Sequence, residues 1–164
     1  MSYKNGNMKT IELHENGLDI QFRIRENGVV ELADFSSQEV KKAAMEPKED
    51  IYYPAVEIHR SGTGSLNMHA YKNNINQSSV DFVYENHELK EQEGGKELEI
   101  VMVSPEKLKA VYHMRLFDGI PAVQTWTEIT NEGSEDQGLT HVSSFIYQGI
   151  SRGGEKPYYK KTDI

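Results

Sequence analysis

Apolar and polar side chains alternate along most of this chain. Leu18, Ile20, Phe22 and Ile24 are interleaved with Asp19, Gln21, Arg23 and Arg25, the pattern of a strand with one buried face. Val30 and Leu32 resume it after Glu26-Asn27-Gly28, a hairpin signal. Residues 80–85, VDFVYE, predict a strand buried on both faces at its centre. Leu98, Ile100 and Met102 alternate with Glu97, Glu99 and Val101 ahead of Pro105. Over residues 109–117, Tyr112, Met114 and Leu116 share one face, and His113 and Arg115 take the other. Asp118-Gly119-Ile120-Pro121 turns the chain into a strand over 122–130, and Asn131-Glu132-Gly133 turns it again. Residues 139–148 read as a last long strand.

The count comes to roughly eight or more strands, at spacings that suit an antiparallel sandwich or barrel. Segments partly apolar on both faces favour two stacked sheets. The expected class is therefore all-β, with at most one or two short helices, the candidate lying at 37–45. Residues 46–53 and 62–79 read as loops. The second is too long for an idle connection, so it is either functional or holds an unread strand near 67–71.

One strand poses a question. Over residues 122–130, Gln124, Trp126 and Glu128 point to one face, while Val123, Thr125, Thr127 and Ile129 point to the other. The single tryptophan thus stands on the wetter side. It is expected either to remain partly exposed or to be buried by a bulge that breaks the alternation.

Composition narrows the function classes. A chain of 164 residues supports one domain with a real core. Charged residues make up 27% and are well mixed, which argues against wholesale disorder. The net charge of −8 works against a nucleic-acid partner, which needs a basic stripe. Lys160 and Lys161, beside Tyr158 and Tyr159, form the one basic cluster and read as a solvated tail. There is no cysteine, hence no disulfide, thiolate metal site or thiol nucleophile. The first ten residues carry no apolar run, so neither a signal peptide nor a membrane anchor is expected, and the location expected is cytoplasmic.

Candidate chemistry is sparse. No two of the six histidines stand at ligand spacing on one element; His59 and His69 can meet across a hairpin, but a third ligand is not evident. No metal and no cofactor are expected. The loop from Ser61 to Ser65 lacks the lysine and helix of a phosphate-binding loop. His141 with Ser143 and Ser144 lacks a third member and a strained elbow. Paired carboxylates for glycoside hydrolysis have only Asp118, Glu128, Glu49 and Asp50 as conceivable members. Asp118 before Gly119 is ordinary turn chemistry, and Glu128 fits a cross-strand ion pair as readily as a sugar contact. No catalytic residue is assigned.

Arg115-Leu116-Phe117-Asp118-Gly119-Ile120-Pro121, with Trp126-Thr127-Glu128 and Asn131-Glu132-Gly133 after it, resembles the N-terminal domain of family 36 α-galactosidases. Tyr53-Pro54-Ala55-Val56-Glu57-Ile58, followed by Arg60-Ser61-Gly62, looks like that family's Y-P-x-V-E-I strand. LTHVSSF, residues 139–145, looks like its strand leading out of the hairpin. The three segments keep the family's order and span residues 17–149. The chain departs from the pattern at 63–71, TGSLNMHAY, where many members carry a histidine- and aspartate-rich loop.

The resemblance implies a galactose-mutarotase-like β-supersandwich over residues 17–150, preceded by an extension or edge strand (1–16) and followed by a tail or the start of a linker (151–164). In the family a (β/α)8 barrel comes next and supplies the two aspartates of a retaining mechanism. Both would lie outside this sequence, so the chain alone is expected to be inactive. The implied partners are that barrel and, in the whole enzyme, further copies in a homo-oligomer. Trp126, Gln124 and Glu128 are the candidate face residues, and Asp50, Tyr52 and Tyr53 the candidate loop contacts. A carbohydrate-binding module that takes an α-galactoside or another sugar is the alternative, and a mutarotase-like isomerase a weaker one.

Overall fold

The computed structural model describes residues 9–37, 53–64 and 77–147. Among them are nine strands and one short helix, in the order β1 (Lys9–Glu15), β2 (Leu18–Ile24), β3 (Val30–Ser37), β4 (Ile58–Arg60), α1 (Gln77–Val80), β5 (Val83–Gln92), β6 (Gly95–Val103), β7 (Leu108–Phe117), β8 (Ile120–Asn131) and β9 (Leu139–Val142). Pairing is antiparallel throughout, in three sheets: β1-β2-β3, β4-β9 and β5-β6-β7-β8. The all-β sandwich expected from the alternation is what forms. No helix among the described residues is long and apolar enough to cross a membrane.

The inward faces of the two larger sheets meet in one apolar cluster. β2 supplies Leu18, Ile20, Phe22 and Ile24; β6 supplies Leu98, Ile100 and Met102; β7 supplies Leu108, Ala110, Tyr112, Met114 and Leu116. Phe22 and Tyr112 meet edge to face at 5.7 Å across the sandwich. Ile58 of β4 joins the same cluster, with Val142 of β9 at its margin. Period-two patterning is thus converted directly into burial.

β3 shows how the pattern survives an interruption. Val30 and Leu32 face inward opposite Ile24 and Phe22, but the next apolar residue, Phe35, is three positions on. A bulge shifts the register so that Phe35 lies opposite Ile20 and Asp34 opposite Gln21. Ala33 is the extra residue, and the bulge brings the Phe35 ring against the core cluster.

The two sheets are also pinned at their ends. Asn16 and Gly17, at φ of 52° and 83°, form the two-residue turn between β1 and β2. The Asn16 side chain donates from Nδ2 to the Phe117 carbonyl at 2.8 Å and accepts the Gly119 N–H at 2.9 Å. One asparagine therefore fastens the first hairpin to the Asp118-Gly119 turn between β7 and β8. Lys96 Nζ adds a 2.6 Å ion pair to Glu15 beside it.

Several expected boundaries move. The strand expected at 80–85 begins only at Val83 and runs to Gln92, while Val80 closes α1. It is an edge strand with Val83 exposed, not a centre buried on both faces. α1 is present because its serines have work to do: the hydroxyls of Ser78 and Ser79 donate to the Ile58 carbonyl, and Ser79 Oγ accepts the Ile58 N–H at 2.9 Å. They serve the edge of β4 opposite β9, where another strand would otherwise be required. The 53–58 strand is shorter than its sequence suggests, since only Ile58–Arg60 pairs. Ala55 instead donates its N–H to the Val30 carbonyl at 2.7 Å. The long strand expected at 139–148 ends at Val142. Of the helix expected at 37–45, Ser37 closes β3 and the remainder lies outside the described residues, as does 65–76 of the long loop.

Candidate functional site

β8 pairs with β7 without interruption from Val123 to Asn131, so strand parity holds around the tryptophan. Gln124, Trp126 and Glu128 lie opposite Arg115, His113 and Val111, on the face of the four-stranded sheet that points away from the core. Gln124 and Glu128 are exposed and Trp126 is half-buried. Its indole lies flat on the His113 imidazole, with ring centroids 4.6 Å apart and planes 4° from parallel. Its Nε1–H points to Glu128 Oε1 at 3.4 Å. The tryptophan on the wetter side is covering something: a histidine.

That histidine is 7% exposed, although it sits on the outer face. Its Nδ1 is 2.9 Å from Oε1 of Glu97, itself only 6% exposed, and 3.8 Å from Oε1 of Glu99. Its Nε2 is buried without a hydrogen-bond partner, and the nearest ion-pairing oxygen is Glu128 Oε1 at 3.7 Å. The other carboxylate oxygens are engaged from β5: Gln92 Nε2 donates to Glu97 Oε2 at 2.8 Å, and Lys90 Nζ lies 2.6 Å from Glu99 Oε2. The hydrogen bond to Glu99 is the largest effect on the Lys90 ammonium and, with the charges of Glu99, Glu88 and Glu97, outweighs desolvation to hold it above the ordinary lysine range. Arg115, on the same face, donates instead to the Glu93 carbonyl at 3.1 Å and lies over the Phe117 ring. The result is a polar layer two side chains deep, built by four strands.

The other candidates fall elsewhere. Tyr53 is half-buried and its N–H reaches Glu31 Oε1 of β3 at 3.4 Å, on the other large sheet, so the structure does not bring it to the Trp126 face. Asp50 and Tyr52 lie outside the described residues. His59 meets His141 of β9, with rings 5.1 Å apart, and its Nε2 pairs with Glu57 at 2.8 Å. Ser143 is structural: its Oγ accepts the Glu57 N–H, and its own N–H donates to the Glu57 carbonyl. Arg60 is a buried strut between Asp81 (3.2 Å) and Glu106 (2.7 Å).

The residues that inspection of the sequence missed are Glu97, Glu99 and His113. The search for ligands weighed histidine pairs, whereas this cluster is two glutamates at i and i+2 on one strand and a histidine on the next. The signal was there in part, because the polar faces of residues 97–99 and 113–115 were already separated from the core faces. What was absent was the register that sets Glu99 opposite His113.

No protein-family model matches the sequence, and no curated protein does. Solved structures share the fold. The family 36 α-galactosidase AgaA of Geobacillus stearothermophilus superposes with a TM-score of 0.55 and 14% identity, over 80% of this chain and 23% of that one. Two substituted forms of that enzyme, in complex with raffinose and with stachyose, superpose with TM-scores of 0.54 at 13% and 12% identity, over the same shares. The chain thus spans about a quarter of the length of the enzyme it matches. Its fold is that of one part of a family 36 α-galactosidase, and it fits the N-terminal domain to which the three motifs pointed.

Proposed function

We propose that the chain is the non-catalytic N-terminal domain of an α-galactosidase, packed on a (β/α)8 barrel that hydrolyses terminal α-galactosides with retention. The observation that carries this reading is the superposition over 80% of the chain on about a quarter of a family 36 enzyme. In the proposed arrangement residues 17–150 form the domain, 1–16 an edge strand or extension, and 151–164 the way into the barrel. The domain acts indirectly. Its rigid sheet presents Gln124, Trp126 and Glu128, with Asp50, Tyr52 and Tyr53 as loop contacts, to the barrel or to a neighbouring subunit. It thereby supports oligomer assembly and shapes the active site. A cytoplasmic enzyme is part of the same proposal.

The test is made on the whole gene product. It is expected to continue into a (β/α)8 pattern with aspartates at strand ends and to hydrolyse aryl α-galactosides, while the 164-residue chain alone does not. A reading frame without that pattern, or a whole product without α-galactosidase activity, overturns the proposal.

A second reading, a carbohydrate-binding module, is favoured by one observation. The half-buried indole is flanked by the exposed Gln124 amide and Glu128 carboxylate, an aromatic platform with polar groups at its edge. It requires galactosides to bind the chain at millimolar concentration or tighter, and Trp126→Ala to abolish that binding without unfolding the domain. Absence of sugar binding removes it.

A further inference from the structure

From the outer face of the four-stranded sheet we infer a divalent-cation site, with zinc as the ion its donors fit, formed by Glu97 Oε1, Glu99 Oε1 and His113 Nδ1. These three atoms lie within 4.8 Å of one another. Zinc with bonds of about 2.0–2.1 Å in tetrahedral array holds its ligand atoms about 3.4 Å apart. The distances from Nδ1 to the two oxygens, 2.9 and 3.8 Å, bracket that value. The carboxylates are oriented before any ion arrives. Gln92 and Lys90 hold the Oε2 atoms, which leaves each Oε1 turned toward the imidazole. Two carboxylates and one imidazole suit zinc or manganese, whereas calcium and magnesium favour sites made of oxygen alone.

A cluster of acids alone would not justify a site. The independent observation is the state of His113, which is more than nine-tenths buried and has no hydrogen-bond partner at Nε2. A neutral imidazole carries one N–H. If Nδ1 holds it, Nε2 presents a bare lone pair toward the Glu128 carboxylate. If Nε2 holds it, the Nδ1 lone pair confronts Glu97 at 2.9 Å. A cation on Nδ1 resolves both conflicts, as a second ring proton would, and the zinc titration below separates the two. The cation accepts that lone pair together with the two Oε1 atoms, and it fixes the proton on Nε2, where Glu128 is 3.7 Å away and can close to accept it. A ligating histidine whose second nitrogen donates to a carboxylate is the usual arrangement around bound metals. Trp126 stacks on the imidazole and shields this side from water.

Charge points the same way. Glu88, Glu97 and Glu99 gather around one ammonium, Lys90, and Glu128 lies toward His113, while Arg115 is committed to Glu93 and Phe117. Entry is from the side of Glu99, whose side chain is 22% exposed. The inference does not depend on the α-galactosidase reading, since it requires only these strands.

The experiment uses the 164-residue chain, freed of metal by a chelator and titrated with zinc chloride by calorimetry. In parallel, cobalt(II) is titrated against the fluorescence of the sole tryptophan. One zinc per chain is expected to bind, and cobalt to quench Trp126, which stands next to the site. His113→Gln and Glu99→Gln should abolish both signals. Glu128→Gln, on a side chain 64% exposed and so without risk to the fold, should weaken zinc by about 10-fold or more. A double variant at the other histidine pair, His59→Gln with His141→Gln, should leave binding unchanged. No stoichiometric binding overturns the inference. Binding that survives in His113→Gln, or that is lost in the His59 and His141 variant, also overturns it.

Discussion

Trp126→Ala asks whether the indole belongs to the fold or merely decorates it. The ring is half-buried, so truncation to alanine re-exposes on the order of 100 Å² of apolar surface, worth about 2.5 kcal/mol at ~25 cal/mol per Å². Beyond that area term, the 4.6 Å stack on His113 adds about 0.5–1.5 kcal/mol. The Nε1–H contact to Glu128 is long, at 3.4 Å and exposed, and adds little. The single substitution should therefore lower the unfolding free energy by about 3–4 kcal/mol, and Trp126→Phe by appreciably less. A double-mutant cycle with His113→Ala isolates the stack and should return a coupling near 1 kcal/mol. Urea unfolding followed by far-ultraviolet circular dichroism is the assay, because the variant loses the only tryptophan and with it the fluorescence signal. If Trp126→Ala stays within about 0.5 kcal/mol of the parent and the cycle is additive, the indole does not stabilise this sheet. Its placement would then need a partner to explain it.

Asn16→Ala removes the two hydrogen bonds to the β7–β8 turn and places alanine at a φ of 52°, so a loss of about 2–3 kcal/mol is expected in the same urea assay; a loss under about 1 kcal/mol contradicts the pinning role. Burial opposes ionisation of Glu106, but its own backbone N–H, Arg60 and Ser104 outweigh burial and hold the carboxyl below its ordinary 4.5. Its stabilising contribution is therefore complete above that pH and lost as pH falls through the depressed folded value; the acid decline in Tm should be shallower in Glu106→Gln, and equal slopes refute this. Burial pushes the Tyr112 hydroxyl above its ordinary 10.0, with the Thr125 hydrogen bond pulling slightly the other way, so the stability it confers is present below pH 10 and lost above it. In an alkaline ultraviolet titration of the nine tyrosines, Tyr112 should ionise only as the domain unfolds, and a Tyr112→Phe variant that leaves the late phase intact would refute that assignment.

Alternation made the inward faces of β2, β6 and β7 legible, because each is a strand half-buried along its length and its core residues recur at every second position. The same rule placed Gln124, Trp126 and Glu128 on one face. It failed where a segment's neighbours set its conformation. Val80 and Phe82 are apolar with no strand beneath them, since one closes a helical turn and the other is buried beside it. Ala55 and Val56 are buried, yet the backbone there bends to reach Val30 and pairs only from Ile58 onward. The cluster at His113 required knowledge of which residue lies opposite which. Between β6 and β7 that is fixed by a connection in which Lys107 adopts a φ of 63° and Ser104 exchanges backbone hydrogen bonds with Lys107 and Leu108. Nothing in the polar spacing of the two strands specifies this register.

The disposition of the carboxylates bears on where chemistry can occur. Glycoside hydrolysis needs two carboxyl groups free to exchange protons or to attack, held about 5–10 Å apart across an open bond. On the Trp126 face Glu97 is tied to Gln92 and His113, Glu99 to Lys90, and Glu128 stands at the edge of an indole. Elsewhere Glu31 receives Arg25 at 2.9 Å, Glu106 and Asp81 share Arg60, and Glu57 holds His59. Apart from Glu128, each of these acids is an acceptor in a fixed pair, a use that stiffens a sheet. Such a domain suits the part proposed for it, a preorganised surface whose side chains are already ordered before a partner docks, which lowers the entropic cost of that docking. A cation at His113 would extend the same logic, because it ties β6 to β7 directly beneath the tryptophan offered to the partner. Trp126→Ala in the whole gene product should then weaken the contact between domains, and the chelator should weaken it to a similar degree in the unsubstituted protein. If removal of metal leaves that contact intact while Trp126→Ala disrupts it, the ion and the docking surface are independent features of one sheet.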